Sequence, residues 1–240
     1  YEIMPRLVGS EMCIRDRSFF ILLIFFILSA KTHDDFAYYH FAYIHLITSE
    51  PTIYGIGIFN HGFRTPSSIF YLSSLFYLPK VGYDLIHIGP IFFLGFANFI
   101  LVEKIDFLRK AKKNYFIILL SLIALIIINI FFYRMAEHGT DRSAQIIIFL
   151  IIIELLYFLN TKNIENSFLE KLYILIVLCI SLKSLYVIYL LLFLPIFFYQ
   201  TEKISYLTNL AKNKVFILSS LFVFLIFGFS VINTGCAIYP

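Results

Sequence analysis

Polar side chains that could perform acid–base or phosphate chemistry are few in this chain, and most of them lie between long apolar segments. An adjacent acidic pair, Asp34 and Asp35, follows the first apolar segment. A carboxylate can act as a general base toward a hydroxyl, and cationic side chains can stabilise a phosphate leaving group. We therefore expect Asp34 and Asp35 to be catalytic. The residues expected to bind the substrate and its phosphate are His33, His61, Arg64, His138, Asp141, Arg142 and Lys183.

Each of these residues also has a structural interpretation. Asp34 or Asp35 could cap the helix that follows, since Asp is a favoured N-cap residue, although one cap accounts for only one Asp. Asp141 could cap the next apolar helix in the same way. His138 and Arg142 are one turn apart if that helix starts early, and they could instead extend their polar ends to a membrane interface. Both interpretations stay open for every one of these residues.

A metal site is a weaker hypothesis for the same region. His33, Asp34, Asp35 and His40 are close in sequence, and imidazole with carboxylate is a normal ligand set. Their spacing matches no established zinc motif, so interfacial histidines are the favoured interpretation. We predict no metal site and no cofactor, with a divalent cation at the acidic pair as the open alternative.

The composition excludes an ordinary soluble domain. Hydrophobic residues make up 60% of the 240 residues, charged residues only 14%, and the mean hydropathy is +0.87. A chain this apolar needs lipid as its solvent. The formal net charge is +4, but the basic residues lie in short loops, which gives no footprint for nucleic acid. We expect a multi-pass protein of the cell membrane, in bacterial terms the inner membrane, with membrane lipid as a partner and no nucleic acid.

The apolar segments predict an all-α fold, a polytopic bundle of about five transmembrane helices, since each crossing needs about 20 apolar residues. The segment 172–199 is too long for one straight crossing and carries Lys183 near its middle. We therefore predict a re-entrant pair of short helices that meet at Lys183. The predicted spans are 18–30, 85–102 with an interruption at Gly89 and Pro90, 115–133, 144–159 and 215–232.

The distribution of Lys and Arg predicts which loops are outside. The loop 103–114 is rich in both residues and is therefore cytoplasmic under the positive-inside rule. The loops 31–84 and 134–143 then lie outside, and a re-entrant pair keeps Lys203, Lys212 and Lys214 inside. The first outer loop is dense in aromatic residues, so we expect it to be folded, with amphipathic helices at 33–48 and 66–78 lying along the membrane surface.

Both ends of the chain call for separate expectations. Residues 1–17 resemble a translated sequencing adapter, so we leave them out of the fold as non-native. Residues 18–240 are then a single transmembrane domain, which we expect to be truncated at its C-terminus because the sequence stops directly after a span. Within the fourth span, Glu154 is expected to be structural, either protonated or paired with a polar group such as Lys183.

The layout of the first outer loop resembles that of a known superfamily. A first helix followed at once by His33-Asp34-Asp35, and then by aromatic helices parallel to the membrane, is similar to the GT-C superfamily of integral-membrane glycosyltransferases. Residues 233–240, NTGCAIYP, resemble the small-residue, Tyr-Pro stretch that follows a later helix in several of these enzymes. The resemblance implies that an Asp of the first outer loop acts as base or orients the acceptor. It also implies a polyprenyl-phosphate-linked sugar as donor.

The sequence therefore favours a membrane glycosyltransferase-like protein that moves a sugar from a lipid-phosphate donor to an acceptor at the outer face. A polysaccharide polymerase or ligase would use the same layout and is the first alternative. A transporter or a non-catalytic membrane protein is the second, supported by Glu154, Lys183 and the Gly89-Pro90 break. The sequence predicts no oligomeric state.

Overall fold

A computed structural model describes residues 21, 23–24, 34–51, 53–132, 139–161, 166–199 and 203–238. Most of the predicted first span lies outside the described residues, as do His33 and His138. In the described part, the regular secondary structure is helical apart from one isolated bridge between Leu78 and Gly82. The prediction of an all-α fold is confirmed.

Nine α-helices and four shorter π- or 3₁₀-helical segments make up the described part of the chain. The π-helix is Phe36–His40, and the 3₁₀-helices are Ile56–Ile58, His61–Arg64 and Ser184–Phe193. The α-helices are α1 (Phe41–Ser49), α2 (Ser68–Ser74), α3 (Ile88–Lys110), α4 (Tyr115–Phe131), α5 (Gly139–Thr161), α6 (Asn166–Leu182), α7 (Leu194–Tyr199), α8 (Lys203–Lys212) and α9 (Lys214–Thr234).

The predicted interruption of the second span at Gly89 and Pro90 is wrong. Both residues lie in the first turn of α3, which runs unbroken to Lys110. Proline is tolerated there because the first N–H groups of a helix have no intrahelical acceptor to lose. Gly89 has a packing role instead, since a Cβ atom at this position would lie 2.6 Å from Ser73 Oγ of α2.

The helices α5 and α6 begin earlier than predicted. The first begins at Gly139 rather than at residue 144, and the second at Asn166 rather than at residue 172. Their polar first turns break the apolar pattern, although they continue the helix. Asp141 therefore lies inside the first turn of α5 and not in a loop before it.

The chain reverses at Lys183, where a helix break was predicted. Lys183 has extended backbone angles, φ −158° and ψ 122°, between α6 and the following 3₁₀-helix. The returning segment packs on α6, where the rings of Tyr173 and Phe193 are 5.7 Å apart, and on α5, where the rings of Phe158 and Tyr199 are 5.8 Å apart. The basic segment after it was predicted to be a connector, but residues 203–212 form α8.

The first predicted outer loop is folded, as expected. The π-helix and α1 together cover the predicted helix at 33–48, while α2 is shorter than the predicted 66–78 and is capped by Ser67, which accepts a hydrogen bond from Ile69 N. The rings of Tyr43 and Phe70 pack inside this region in a tilted arrangement, with centroids 5.0 Å apart and an interplanar angle of 38°. Both side chains are buried and belong to the same hydrophobic core as the long helices, so this segment is packed onto the bundle.

The α-helical bundle has two chemically different ends. At the first, called the first-loop end, residues 34–87 contact the end of α6 through Ser68 and Ser181, 2.9 Å apart, and the end of α9 through Gly55 N and Ile232 O, 3.1 Å apart. At the second, called the lysine end, Asn160 donates to Asn114 at 2.8 Å. The basic residues described there are Lys104, Arg109, Lys110, Lys112, Lys113, Lys171, Lys212 and Lys214.

Two described helices are long and apolar enough to cross a membrane, residues 140–161 of α5 and α9. Half of the apolar stretch of α5 is buried in the protein, but only 6% of the corresponding stretch of α9. The helices at 115–131 and 184–199 are apolar but shorter. A water-soluble protein rarely exposes an apolar surface of this size, so α9 indicates contact with a membrane or with another apolar partner.

Candidate functional site

The centre of the first-loop end is an ion pair between helices that are distant in sequence. Lys183 Nζ donates to both carboxylate oxygens of Asp141, at 2.7 and 3.0 Å, and Tyr186 OH donates to Asp141 Oδ1 at 3.3 Å. The break after α6 places Lys183 opposite the first turn of α5. The pair is partly accessible, with 26% of the Lys183 side chain and 45% of the Asp141 side chain exposed.

A second carboxylate of the first-loop end, that of Asp35, acts electrostatically on the same tyrosine as Asp141. Burial, and to a smaller extent the negative charges of Asp35 and Asp141, together raise the pKa of Tyr39 to about 12. Both carboxylates are therefore within electrostatic range of one phenol. Asp35 is half-buried, whereas Asp34 is exposed to solvent. The structure thus distinguishes the two members of the predicted acidic pair.

The ring of Tyr39 is held by the segment 60–64. A Cβ atom on Gly62 would lie 2.5 Å from Tyr39 Cβ, so only glycine allows this approach. Asn60 fixes the position of Gly62 by accepting a hydrogen bond from its backbone N–H at 2.8 Å. We call Asp35, Tyr39, Asp141, Lys183 and Tyr186 the first-loop site.

Three other predicted phosphate-binding residues lie in the described part of the chain, namely Arg64, His61 and Arg142. Arg64 is exposed, and its Nε donates to Gly57 O at 3.2 Å. His61 is exposed in the same 3₁₀-helix. Arg142 donates to Phe131 O at 3.0 Å and lies 5.8 Å from the ring of Phe132, which ties it to the end of α4. Arg142 therefore has the structural role of satisfying a C-terminal helix carbonyl.

The described residues contain no group of side chains that could serve as a set of metal ligands. No three His, Cys, Asp or Glu side chains come together there. His40 is buried between aromatic rings, 4.3 Å from Tyr39 and 5.3 Å from Phe70 between centroids.

The first-loop site can perform simple acid–base and anion-binding chemistry. A lysine ammonium has three N–H donors, and two of those on Lys183 point to Asp141. The third can donate to an anionic oxygen without displacing Asp141. The Asp35 carboxylate acts on Tyr39 electrostatically, and a carboxylate can accept a proton from a bound hydroxyl.

Comparison with known proteins places this chain in a family. Residues 16–240 match a family described as a domain of unknown function, DUF8201. The chain is a member of the DUF8201 family. No curated protein and no solved structure matches it. The matched range contains every residue of the first-loop site.

The DUF8201 chain has a second ion cluster at the lysine end, centred on Glu154. Its carboxylate forms ion pairs with Lys104 Nζ at 2.7 Å and with Lys171 Nζ at 2.9 Å. The predicted pairing of Glu154 with Lys183 is wrong, because Glu154 follows Asp141 by 13 residues of α5, a rise of about 20 Å. Glu154 and Lys183 therefore belong to two separate ion clusters.

The two tyrosines of the first-loop site were not recognised as functional candidates in the sequence. Tyr39 was assigned only to the apolar face of an interfacial helix. Its spacing from Asp35, one helical turn, was the available signal, because residues four apart meet on a helix surface. Tyr186 follows Lys183 by three residues, but only the reversal of the chain places its hydroxyl against Asp141. The DUF8201 match extends over both tyrosines.

Proposed function

We propose that this chain is a multi-pass membrane protein with a GT-C-like glycosyltransferase activity at its first-loop end. The convergence of Asp35, Asp141 and Lys183 from three distant segments carries the proposal. A carboxylate that can accept a proton and an ammonium that can bind an anion suit a reaction in which a hydroxyl loses a proton and a phosphate leaves. The donor class is a sugar linked to a polyprenyl phosphate.

Membrane embedding is supported by the exposed side chains of α9 and α4. Phe224 and Leu225 of α9 are 73% and 63% exposed, and the exposed face of α4 includes Phe116 and Ile130. Lipid acyl chains are the solvent in which such surfaces are stable. In the proposed arrangement the bundle crosses the bilayer about five times, with the pair of helices that meets at Lys183 as a re-entrant hairpin. The cell membrane is the proposed location.

The proposed reaction is a single displacement. Asp35 accepts the proton of the acceptor hydroxyl, and the hydroxyl oxygen forms a bond to the anomeric carbon of the sugar. The bond between that carbon and the phosphate oxygen breaks, and polyprenyl phosphate leaves with the bonding electrons. The Lys183 ammonium stabilises the additional negative charge on the phosphate. Asp141 and Tyr186 hold Lys183 in position.

The test uses the difference between adjacent aspartates. Membranes containing the full-length protein are incubated with a panel of polyprenyl-phosphate-linked hexoses, and release of polyprenyl phosphate is measured. We expect Asp35→Asn to abolish release and Lys183→Gln to lower it at least about 100-fold, as for loss of one group that stabilises the leaving charge. Asp34→Asn, at an exposed position, is the matched control and should retain activity. Release that is equal in the Asp35→Asn variant and the wild type would refute the assignment.

A binding measurement complements the assay. Polyprenyl phosphate should stabilise the wild-type protein thermally, and Lys183→Gln should remove this stabilisation, while the exposed Lys110→Gln should not. Stabilisation that is unchanged in Lys183→Gln would exclude Lys183 as the phosphate ligand.

A further inference from the structure

The cluster of Lys104, Glu154 and Lys171 joins three helices at the lysine end. Lys104 belongs to α3, Glu154 to α5 and Lys171 to α6. The side chains of Glu154 and Lys104 are only 7% and 11% exposed, whereas that of Lys171 is 48% exposed. The cluster is therefore buried on the side of α3 and accessible from outside the protein on the side of α6.

The charges of this cluster do not balance. Each oxygen of Glu154 is used by one ammonium, Oε2 by Lys104 and Oε1 by Lys171. The charges that act on Lys104 are those of Glu154 and Lys171. Two cations and one anion leave a single positive charge, which is costly away from bulk water. The ring of Tyr157, 4.5 Å from Lys104 Nζ, attracts the ammonium but does not neutralise it.

The cluster lies close to the end of α5, which in the proposed membrane embedding is near the edge of the hydrocarbon core. Glu154 lies seven residues before the end of α5 at Thr161, a rise of about 10 Å. The polar layer on each side of a bilayer core is about 5–8 Å thick. A half-exposed lysine at this depth can extend its ammonium to the level of the lipid phosphates.

An apolar groove begins one helical turn from Lys171. It lies between α6 and α9, has a volume of about 360 Å³, and is lined on the α6 side by Ile174, Val177 and Leu178. On the α9 side it is lined by Leu218 and Phe222, among others. Lys171, Ile174 and Leu178 share one face of α6, because residues at i, i+3 and i+7 align on a helix. Along one face of α6, the ammonium of Lys171 is thus followed by the apolar groove, which extends toward the middle of the bundle.

We propose that this face binds an anionic phospholipid of the leaflet at the lysine end. The phosphate contacts the exposed ammonium of Lys171, Lys104 adds its positive charge from behind, and one acyl chain lies in the groove between α6 and α9. The proposal rests on the membrane embedding proposed above but not on glycosyl transfer. The ligand class is a glycerophospholipid with a net negative headgroup.

The test measures thermal unfolding of the full chain in nanodiscs. Discs of phosphatidylcholine are compared with discs that also contain phosphatidylglycerol. We expect phosphatidylglycerol to raise the Tm of the wild type by about 3 °C, the shift for a lipid present at several times its Kd. Lys171→Gln should lose this rise and Lys171→Arg should keep it. Lys212→Gln, an exposed lysine at the same end, is the matched control and should also keep it.

Two further arms separate a lipid from a free anion and from a folding defect. Inorganic phosphate should not reproduce the rise, because it has no acyl chain, and Ser219→Phe, which fills the groove, should weaken it. Native mass spectrometry of the wild type should show retention of one phosphatidylglycerol in preference to phosphatidylcholine. No such preference, or an equal rise in Lys171→Gln, would overturn the proposal. Release of the chain from membranes by alkaline carbonate would instead overturn the membrane embedding itself.

Discussion

The helix α5 carries a carboxylate near each of its ends, and the two have opposite surroundings. Asp141, in the first turn, contacts one ammonium and one phenol, and its charge acts together with that of Asp35 on the phenol of Tyr39. Glu154, more than three turns later, meets two ammoniums. The first cluster is partly open to solvent and the second is largely buried.

The difference in exposure between the two clusters indicates which ion pair can exchange partners. A partly exposed pair contributes little to stability because water competes for both ions, so a substrate can replace one contact at small cost. A buried pair loses several kcal/mol when one member is removed, because the other stays behind without a counter-ion. Asp141 and Lys183 therefore suit catalysis, and Glu154 suits the joining of helices.

The largest expected effect separates the two clusters directly. Glu154→Gln leaves Lys104 nearly buried without its carboxylate, and we expect the free energy of unfolding to fall by about 3–5 kcal/mol. Asp141→Asn should lower it by about 1 kcal/mol or less. Unfolding by SDS in mixed micelles, followed by circular dichroism, measures both. Equal losses in the two variants would contradict the distinction between a fixed and an exchangeable pair.

The second effect concerns the support of the first-loop site. Gly62→Ala places a methyl group against Tyr39 Cβ, and such overpacking costs about 1–3 kcal/mol. Because Tyr39 must move, transfer activity should fall as well. Gly228→Ala in α9 is the matched control, since a Cβ atom there meets nothing within 4 Å. The control should be neutral or slightly stabilising, as alanine is the better helix former. Equal unfolding curves for the two alanine variants would show that Tyr39 is not held by Gly62.

A smaller effect tests whether Arg142 belongs to the site. Its hydrogen bond to Phe131 O predicts a loss of about 1 kcal/mol for Arg142→Gln, with transfer activity retained. Arg109→Gln, an exposed residue paired only with Asp106, should change stability by a few tenths of a kcal/mol at most. Loss of transfer at unchanged stability would place Arg142 among the phosphate ligands instead.

The smallest effect appears only at high pH. The pKa of Tyr39 is about 12 in the folded chain, above the ordinary value of 10.0, so its contribution to stability is complete below pH 10. As pH rises from 10 toward 12, the unfolded chain loses the phenol proton first and stability falls. We expect less than about 1 kcal/mol, because solvent screens a half-exposed group. Thermal unfolding of the wild type should decline more steeply over this range than that of Tyr39→Phe, and parallel curves would contradict the raised pKa.

Local patterns predicted the helices well where apolar residues are continuous. The predicted spans 115–133 and 215–232 match α4 and α9 within two residues at each end. Local patterns gave the wrong starting residues for α5 and α6, because the polar first turn of each helix resembles a loop in sequence. The predicted interruption at Gly89 and Pro90 was wrong for a related reason. Glycine and proline break a helix in its middle but are tolerated in its first turn.

The candidate site could be predicted only in part. Asp35, Asp141 and Lys183 were recognised because ionisable residues beside or within apolar segments are rare and costly. Their grouping into one ion pair and one shared phenol needed the three-dimensional arrangement. Glu154 is paired, as one of the predicted alternatives had it, but with Lys104 and Lys171 rather than Lys183. The position of an ionisable group in a span does not reveal which neighbouring helix supplies its counter-ion.

By itself, the sequence determined that this chain is helical, that it contains long apolar helices, and that its lysines concentrate between particular helices. These properties follow from composition and periodicity, which act over a few turns of chain. The tertiary structure alone decided that Lys183 meets Asp141 and that Lys104 and Lys171 share Glu154. Such pairings depend on which helices lie side by side, and that is set by the packing of the whole bundle.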